Sequence, residues 1–202
     1  MFLENDKIVG LDADIMEELT KRMGVEYQWS NMTFDGLIPA LQMNKIDIVI
    51  AGMSITPQRA KAVNFSVPYL SSEVVFVGSK NNPINSIDEL VGKTFGVELG
   101  TTKEASAKKI KNSKVIPFNG NTPTLIALKF GKIDAMVVDK SVGDNYVSNN
   151  DDLMLIGTLS GEPKAIAVGK KYPELLGKVN VALSKMIKDG TISNLKEKYG
   201  GK

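Results

Sequence analysis

The chain has 202 residues, of which 43% are hydrophobic and 24% are charged, and its 25 Lys and Arg outnumber its 23 Asp and Glu by a small margin. This composition is typical of a globular protein, and so small a positive excess, scattered along the sequence, gives no indication of nucleic-acid binding. The absence of Cys and His excludes disulfides and thiol catalysis and removes the usual general base and the commonest metal ligand, so neither a metal site nor a cofactor is predicted.

The first part of the chain predicts an irregular start, a helix and a strand. Residues 2–12, FLENDKIVGLD, have the pattern of a hairpin or a loop, without a buried strand. In residues 12–23, DADIMEELTKRM, apolar side chains recur at helical spacing, and Gly24 favours a helix end directly after them. The next segment, VEYQWS at 25–30, is a candidate strand because aromatic and β-branched residues are enriched in strands.

Two segments of the sequence resemble each other: IPALQMNKIDIVIAG at 38–52 and LIALKFGKIDAMVVD at 125–139. Each has a helical apolar pattern, then Lys-Ile-Asp, then four or five apolar residues at strand length. Residues 101–112 likewise predict a helix before the strand KVIPF at 114–118. Coincidence between two generic helix-strand units is the alternative, since the shared motif is short.

Both halves therefore have the order α-β-α-β, which predicts the α/β class with two parallel-type sheets flanked by helices. The second half opens with a good strand, KTFGVE at 93–98, whereas no buried strand opens the first half. We expect that a leading strand is missing from the first lobe.

The connections between the halves predict two lobes. A polar Asn-Asn-Pro stretch follows the strand VVFVG, and a Gly-Glu-Pro break precedes a further apolar strand within residues 161–170. We interpret both breaks as points where the chain passes from one lobe to the other. The first lobe is therefore discontinuous, built from both ends of the chain. We predict lobe 1 from residues 1–78 and 168–202, where two closing helices are separated by Gly190, and lobe 2 from residues 79–167.

The segment 54–69, SITPQRAKAVNFSVPY, follows an apolar strand and carries candidate binding residues. In open α/β sheets, ligands bind beyond the carboxyl ends of the strands, here the segment that begins at Ala51. Ser54 supplies a hydroxyl, Gly52 permits close approach to the backbone, and Arg59 presents a planar fork of donors suited to a carboxylate. A surface arginine paired with a nearby acid is the alternative.

Two further strand ends carry polar residues. Gly100, Thr101 and Thr102 open a helix, whose N–H groups and hydroxyls either bind an anion or cap the helix. Asp139 ends a strand and either receives an ammonium or forms a turn. Together with Arg59, these residues complement the carboxylate and ammonium of a free α-amino acid, and a ligand contacting both lobes would favour their closure.

Aromatic side chains supply the remaining candidate contacts. Phe34 precedes a predicted helix, where it packs either on a ligand side chain or in the core. Phe65 and Tyr69 are expected in the core.

The successive motifs resemble the signatures of the bacterial extracellular solute-binding proteins of family 3, the polar amino acid receptors of ABC importers. The matching segments are KIVGLDADIMEEL, FDGLIPAL, IDIVIAGMSITPQRAKAVNFSVPY, GVELGTT, ALKFGKIDAMVVDK and DGTISNLKEKYG. They cover nearly the whole chain, and AGMSITPQR is the most diagnostic. The resemblance implies a two-lobed periplasmic-binding-protein-like fold of type II, the Venus flytrap, with two hinge crossings and a ligand between the lobes.

The resemblance also implies how that ligand is bound. Arg59, with the N–H of Thr102, would bind the α-carboxylate, while Ser54 would contact both ends of the amino acid backbone. Asp139 and the Gly52 carbonyl would receive the ammonium.

The remaining contacts implied by the resemblance concern the ligand side chain. Phe34 would lie against it. Glu98, at a position where the family varies, would favour a cationic or amide ligand or would bind a neighbouring lysine. Ala51 and Thr101 complete the predicted set of binding residues.

Partners and location follow from the same resemblance: the membrane subunits of an ABC importer, and the periplasm or the outer cell surface. The sequence itself contains no signal-peptide pattern and no run near the roughly 18 apolar residues that span a bilayer. Family members begin with a strand and a Pro-Pro-Phe-like segment, of which Phe2 matches the tail. We therefore expect either a truncated form or a second chain that covers the first lobe by dimerisation or strand exchange.

Three other functions stay open at this point. An enzyme on the same scaffold, resembling cyclohexadienyl or arogenate dehydratases, would need an acid or base, for which Glu98 is the strongest candidate. A truncated form that dimerises would bind ligand weakly or not at all. A sensor domain of a receptor would have membrane-spanning sequence beside it.

Overall fold

The computed structural model describes residues 2–4 and 7–199, with the backbone alone at residues 2–4 and 7. The prediction for Phe2 concerns a side chain outside this described part. The strands are β1 (Phe2–Glu4), β2 (Lys7–Val9), β3 (Ile48–Val49), β4 (Asn64–Phe65), β5 (Leu70–Ser71), β6 (Val74–Ser79), β7 (Thr94–Glu98), β8 (Lys114–Phe118), β9 (Ala135–Asp139), β10 (Leu153–Leu159), β11 (Pro163–Lys164) and β12 (Ala167–Val168). The helices are α1 (Leu11–Met23), α2 (Leu37–Gln42), α3 (Pro57–Ala62), α4 (Lys103–Ala107), α5 (Asn121–Lys129), α6 (Lys140–Ser148), α7 (Pro173–Lys188) and α8 (Thr191–Lys198), and Phe34–Gly36 and Ile87–Leu90 are 3₁₀ turns. None of the helices described has both the length and the apolar character needed to cross a bilayer.

Contacts between Cα atoms divide the chain into two compact units. Unit 1 comprises residues 1–32, 36–71 and 163–202, and unit 2 comprises residues 33–35 and 72–162. The predicted lobe bounds, after residue 78 and after residue 167, differ from this division. The reason is strand pairing, because β6 pairs with β9 and β10 of unit 2, while β11 pairs with β5 of unit 1.

Unit 2 contains a five-stranded sheet in the order β10-β6-β9-β7-β8. The strands predicted at 93–98 and 114–118 are confirmed as β7 and β8. Along β6, Val74 and Phe76 belong to one buried cluster and Val75 and Val77 to another, so both faces of the sheet are covered. This is why the segment is a continuous apolar run in the sequence.

Unit 1 is held together by strands from both ends of the chain. β12 lies between β3 and β4 in a three-stranded antiparallel sheet, and β11 pairs with β5. Leu19 of α1, Ile166 beside β12 and Leu183 of α7 share one buried cluster. The two closing helices predicted on either side of Gly190 are confirmed as α7 and α8.

The α/β class is confirmed, but the prediction of parallel sheets needs correction. In the described chain, parallel pairing is confined to β7 with β8 and β7 with β9. The strands β6, β10 and β12 pair antiparallel with their neighbours. The helix-strand repeat imposes parallel pairing only on strands that are joined by a helical crossover. The strands β6, β10 and β12 lie outside the repeat and are free of that constraint.

The internal repeat is confirmed as the same helix, turn and strand in both units: α2 with β3, and α5 with β9. Each helix is followed by a residue in the left-handed region, Asn44 with φ 55° and Gly131 with φ 67°. The N–H of the lysine that follows, Lys45 or Lys132, donates at 2.9 Å to the carbonyl five residues earlier. Asn and Gly tolerate this backbone conformation, so the two sequences reach one turn geometry with different residues.

The strand predicted at 25–30 is wrong. These residues form no strand in the part of the chain that the structure describes. Tyr27 stays 40% exposed, and its ring meets that of Trp29 edge to face, with 5.5 Å between centroids. The aromatic enrichment that resembled a strand therefore reflects side-chain packing rather than a sheet ladder.

The helix predicted at 101–112 is shorter than expected and is confined to α4. After it the chain turns back toward β8, with the N–H of Ile110 donating to the Ala107 carbonyl at 3.1 Å. Asn112 adopts φ 58°, which no α-helix continues. The predicted hairpin-like start is confirmed, since β1 and β2 pair antiparallel.

Replacement of Gly161 tests the packing of unit 2. A Cβ at this position would lie 1.9 Å from the Ser72 carbonyl oxygen, so Gly161→Ala must displace backbone. We expect its free energy of unfolding in urea to fall by roughly 1–3 kcal/mol. Gly177→Ala is the control, because a Cβ on this exposed glycine of α7 meets no atom within 4 Å. It should gain about 0.5–1 kcal/mol, and equal effects of the two replacements would contradict the packing argument.

Candidate functional site

The predicted binding segment of unit 1 is a loop and a short helix after β3. Ala51 and Gly52 lie in the loop, and Ser54 forms an isolated antiparallel bridge with Lys164. Thr56 is the N-cap of α3, and its hydroxyl accepts a hydrogen bond from the Arg59 N–H at 3.2 Å. The cap fixes the position of Arg59 in the first turn of the helix.

The Arg59 side chain turns back along the loop that precedes its helix. Its Nη1 donates to the Ser54 carbonyl oxygen at 2.8 Å. Burial lowers the pKa of the Arg59 guanidinium below its ordinary value, yet an arginine remains charged in proteins. The structure thus brings together two residues, Ser54 and Arg59, that the sequence placed five positions apart.

A second cation lies beside Ser54. Lys164 is only 1% exposed, and its Nζ donates to the Ser54 Oγ at 3.0 Å. Sequence reasoning missed this residue. Its one signal was a lysine at the start of the apolar segment that follows the Gly-Glu-Pro break, and lysine is rare at buried positions unless it is paired.

Unit 2 holds the predicted residues at the ends of β7 and β9. Glu98 is the last residue of β7, and the Thr101 hydroxyl donates to its carbonyl oxygen at 2.7 Å. Thr102 is the N-cap of α4, and its carbonyl accepts from the Ser106 N–H at 3.1 Å. The first of these bonds closes the turn between β7 and α4, and the second begins the helix.

The 3₁₀ turn of Phe34 is part of the same neighbourhood. Gly100 has φ 77°, and a Cβ on it would lie 3.0 Å from the Asp35 Cβ and 3.1 Å from the Asp35 Cα. A side chain at position 100 would therefore strain its own backbone and displace residue 35. Glycine at this position places Phe34 and Asp35 against the loop after β7.

Asp139 ends β9, as predicted, and is the N-cap of α6. Its Oδ2 forms an ion pair with Nζ of Lys103, and the two side chains are 18% and 9% exposed. Lys103 is the second residue that sequence reasoning missed. A lysine directly after a Thr-Thr pair gave no sign that it would turn inward.

Three carboxylates and this lysine determine the local charge around Glu98. Burial raises the pKa of Glu98, the positive charge of Lys103 opposes the shift, and the charges of Asp139 and Asp35 add to it. Burial and the Glu98 charge also raise the pKa of Tyr146 on α6. We call Asp35, Glu98, Lys103 and Asp139 the acidic cluster. Among the described residues, no three Asp, Glu, His or Cys side chains are placed to hold a metal ion.

Comparison with known proteins identifies the family. The model of the bacterial extracellular solute-binding proteins, family 3, matches residues 1–202. The chain belongs to this family. The resemblance inferred from the motifs is thereby confirmed over its full extent.

Two relatives of this solute-binding protein show how near the likeness is. A probable histidine-binding protein of Campylobacter jejuni is 36% identical over 202 residues, with 98% of this chain and 79% of the relative covered. An ancestral arginine-binding protein bound to arginine is 43% identical, with a TM-score of 0.90, 98% of this chain and 91% of that chain covered. The likeness confirms the predicted periplasmic-binding-protein fold of type II.

A third comparison concerns the enzyme alternative. An ancestral amino acid-binding protein, itself a precursor of cyclohexadienyl dehydratase, is 38% identical, with a TM-score of 0.85, 97% of this chain and 87% of that chain covered. All three relatives are binding proteins by name.

The raised pKa of Glu98 predicts a pH-dependent stability. A carboxyl whose pKa is raised on folding favours the folded state below its ordinary pKa, and that contribution is lost as pH rises through the folded value. Glu98→Gln resembles the protonated form. We expect the variant to match the wild type near about pH 4 and to be more stable than it at about pH 7 in urea titrations.

Glu104→Gln provides the control for this measurement. Glu104 lies on the neighbouring helix α4 and pairs with Lys108 at 2.6 Å on the surface. Its replacement should change stability by less than about 1 kcal/mol at either pH. If Glu98→Gln were less stable than the wild type at neutral pH, burial of the ionised Glu98 carboxylate would not destabilise the folded protein, and the prediction would be wrong.

Proposed function

We propose that this protein binds a free L-amino acid with a cationic or other polar side chain and delivers it to an ABC importer, without catalysis. Family membership supports binding of a solute, and the charges within each unit support the kind of solute. The proposal assigns the residues of unit 1 and the acidic cluster of unit 2 to the same ligand.

The carboxylate of the ligand is assigned to unit 1. The guanidinium of Arg59 is held at residue 54 by its bond to the Ser54 carbonyl, so little side-chain freedom is lost when a ligand binds. The planar donors of an arginine match a carboxylate. In this proposal the Thr102 N–H, which comes from unit 2, joins Arg59 at the carboxylate, the Gly52 carbonyl receives the ammonium, and Ala51 contributes backbone to the site.

The ammonium of the ligand is assigned to Asp139. This carboxylate already binds Lys103 through Oδ2. A carboxylate accepts about four hydrogen bonds, so Asp139 can hold the lysine and a ligand ammonium together. The lysine also keeps the aspartate charge compensated before a ligand arrives, which limits the cost of its burial.

The single observation that carries the proposal is the composition of the acidic cluster. The charges of Asp35 and Asp139 both act on Glu98, and Lys103 balances one of the three negative charges. The remaining negative charge complements an ammonium together with a cationic side chain, and Phe34 offers an apolar face to the methylene groups between them. A dicationic amino acid such as arginine or lysine fits this chemistry best.

Delivery to an importer and a location outside the cytoplasmic membrane are proposed from family membership. The family is that of bacterial extracellular solute-binding proteins, and the proposal gives this chain the membrane subunits of an ABC importer as its partners. Association of two copies by strand exchange stays a prediction.

Calorimetric titration of the ligand-free protein with the common amino acids tests the proposal. We expect binding of L-arginine, L-lysine, L-glutamine or a similar polar amino acid. Arg59→Ala should weaken it by on the order of 2 to 4 kcal/mol, because the ligand carboxylate loses its buried charge partner.

The other arginine of the sequence is a matched control. Arg22 lies on the surface of α1, where it pairs with Glu18 and Asp189 at 2.6 Å each. Arg22→Ala should bind like the wild type. Equal binding by the wild type and Arg59→Ala would remove Arg59 from its role, and a wild type that binds no amino acid would overturn the proposed function.

A dehydratase activity is the alternative that one observation favours. Glu98 is a largely buried carboxyl with a raised pKa, which suits a general acid. We expect no turnover when the protein is incubated with a cyclohexadienyl acid and the products are followed by absorbance. Turnover that Glu98→Gln abolishes would replace the binding proposal by an enzymatic one.

A further inference from the structure

The sheet of unit 2 has two edges of different charge. Strands β7, β8 and β9 run parallel, so their carboxyl ends lie at one edge and their amino ends at the opposite one. The carboxyl ends carry Glu98 and Asp139 of the acidic cluster. Each of these strands has 5 residues, which separates the two edges by about 13–16 Å.

Lysines are concentrated at the amino-end edge. The segment 108–114, KKIKNSK, leads into β8 and contains four exposed lysines and no acidic residue. The Gly92 N–H, in the turn before β7, donates to the Lys111 carbonyl at 3.0 Å. The Lys114 N–H donates to the Lys93 carbonyl at 3.0 Å, so the two turns lie side by side. We call the lysines of these turns the basic edge: Lys93, Lys108, Lys109, Lys111 and Lys114.

The backbone that carries the basic edge is fixed by other residues. Helix α4 ends before the segment, and the Ser113 hydroxyl donates to the Ala107 carbonyl at 3.1 Å. Ile110 is partly buried and packs against the buried cluster that contains Phe95. A partner that binds the lysines on either side of Ile110 therefore does not have to order this loop, which lowers the entropic cost of binding.

Four carboxylates near the basic edge do not neutralise it. They are Asp88, Glu89, Glu104 and Asp134. Glu104 pairs with Lys108 at 2.6 Å, and Asp134 accepts a hydrogen bond from the Thr94 N–H at 2.7 Å. Lys132, in the turn before β9, brings the lysines to six, so this end of the sheet keeps a positive excess. Such a surface attracts phosphate groups.

An exposed aromatic side chain lies at the same end of the sheet. Phe130 ends α5, is 77% exposed and stands between Lys129 and Lys132 in the sequence. Its turn leads into β9 and is tied to β7 by the Asp134 N–H, which donates to the Thr94 carbonyl at 2.8 Å. One exposed apolar residue is ordinary on a protein surface. An aromatic ring among lysines is typical of surfaces that lie in the headgroup layer of a bilayer.

We propose that the basic edge of unit 2 binds the surface of an anionic phospholipid membrane, with the lysines at the headgroup phosphates and the Phe130 ring in the headgroup layer. The lysines stand on adjacent exposed turns, which suits a layer of many phosphates better than a single phosphate. The inference rests on the proposed function in one respect: a protein that delivers to an importer works beside a bilayer. Because the acidic cluster lies at the opposite edge of the sheet, membrane binding leaves it uncovered.

Co-sedimentation with lipid vesicles tests the inference. The probes are vesicles of equal parts phosphatidylglycerol and phosphatidylcholine, and vesicles of phosphatidylcholine alone, mixed with the full chain. We expect binding to the anionic vesicles at about 50 mM NaCl and at least about tenfold weaker binding to the neutral ones. The partition coefficient should fall about tenfold or more at about 300 mM NaCl, because salt screens charges at an exposed surface.

Charge reversal locates the binding surface. One variant replaces three lysines of the basic edge: Lys109→Glu, Lys111→Glu and Lys114→Glu. The matched control replaces three exposed lysines of α7 in unit 1 and changes the net charge equally: Lys178→Glu, Lys185→Glu and Lys188→Glu. The partition coefficient into anionic vesicles should fall about tenfold or more in the first variant and less than about threefold in the control.

Phe130→Ser tests the aromatic contact, with Met43→Ser as its control. Met43 ends α2, corresponds to Phe130 in the internal repeat and is 57% exposed in unit 1. We expect Phe130→Ser to lower the partition coefficient about threefold or more, and Met43→Ser to change it by less than about 1.5-fold.

Three results would overturn the membrane proposal. The first is absence of binding to anionic vesicles at about 50 mM NaCl, which leaves the lysines to an acidic protein or to solvent. The second is an equal loss of binding in both triple variants, which assigns the attraction to net charge. The third is release of the protein by about 10 mM inorganic phosphate but not by NaCl of equal ionic strength, which indicates a site for a single phosphate.

Amino acid titration keeps this inference separate from the proposed function. The triple replacement at the basic edge should leave amino acid affinity within about twofold of the wild type, because the acidic cluster lies at the other edge. A wild type that binds anionic vesicles but no amino acid would overturn the proposed function alone. Should the triple variant fail to unfold cooperatively in urea, Lys109→Glu with Lys111→Glu takes its place and must lower vesicle binding about threefold or more.

Discussion

The structure of unit 1 depends on the return of the chain at residues 163–168. This segment pairs with β5, with the loop around Ser54, and with β3 and β4, all of which come from the first 71 residues. Closing so long a loop costs conformational entropy, which only burial of a shared core can offset. Ile166 and Val168, both fully buried, supply that burial from the returning segment.

The same return creates the cationic end of the candidate site. Ser54 and Arg59 are neighbours along the chain, and a short capped helix suffices to bring their atoms together. Lys164 reaches Ser54 across 110 positions of sequence, only because the returning strand lies opposite residue 54. The pairing that stabilises the unit and the pairing that positions the charge are therefore one feature.

The acidic cluster of unit 2 is likewise positioned by the elements that form the fold. Its carboxylates come from the ends of two adjacent parallel strands and from the turn that Gly100 accommodates, and its lysine comes from the start of α4. Burying the Glu98 carboxyl near other carboxylates costs stability, which is visible in its raised pKa. The ion pair of Lys103 with Asp139 offsets part of that cost. A structure optimised for stability alone would replace such groups by apolar ones, so their presence points to binding.

The sequence by itself determined the α/β class, the helix-turn-strand repeat and the motifs that identify the family, because these are local patterns of period, turn residues and order along the chain. It also placed Arg59 after a strand and Asp139 at the end of one. Only the tertiary structure decided the direction of strand pairing, the absence of a strand at residues 25–30, and the contacts of Lys103 and Lys164. A lysine in a sequence is equally suited to solvent and to an ion pair, and which of them it adopts depends on groups brought near it from elsewhere in the chain, through pairings that no local pattern encodes.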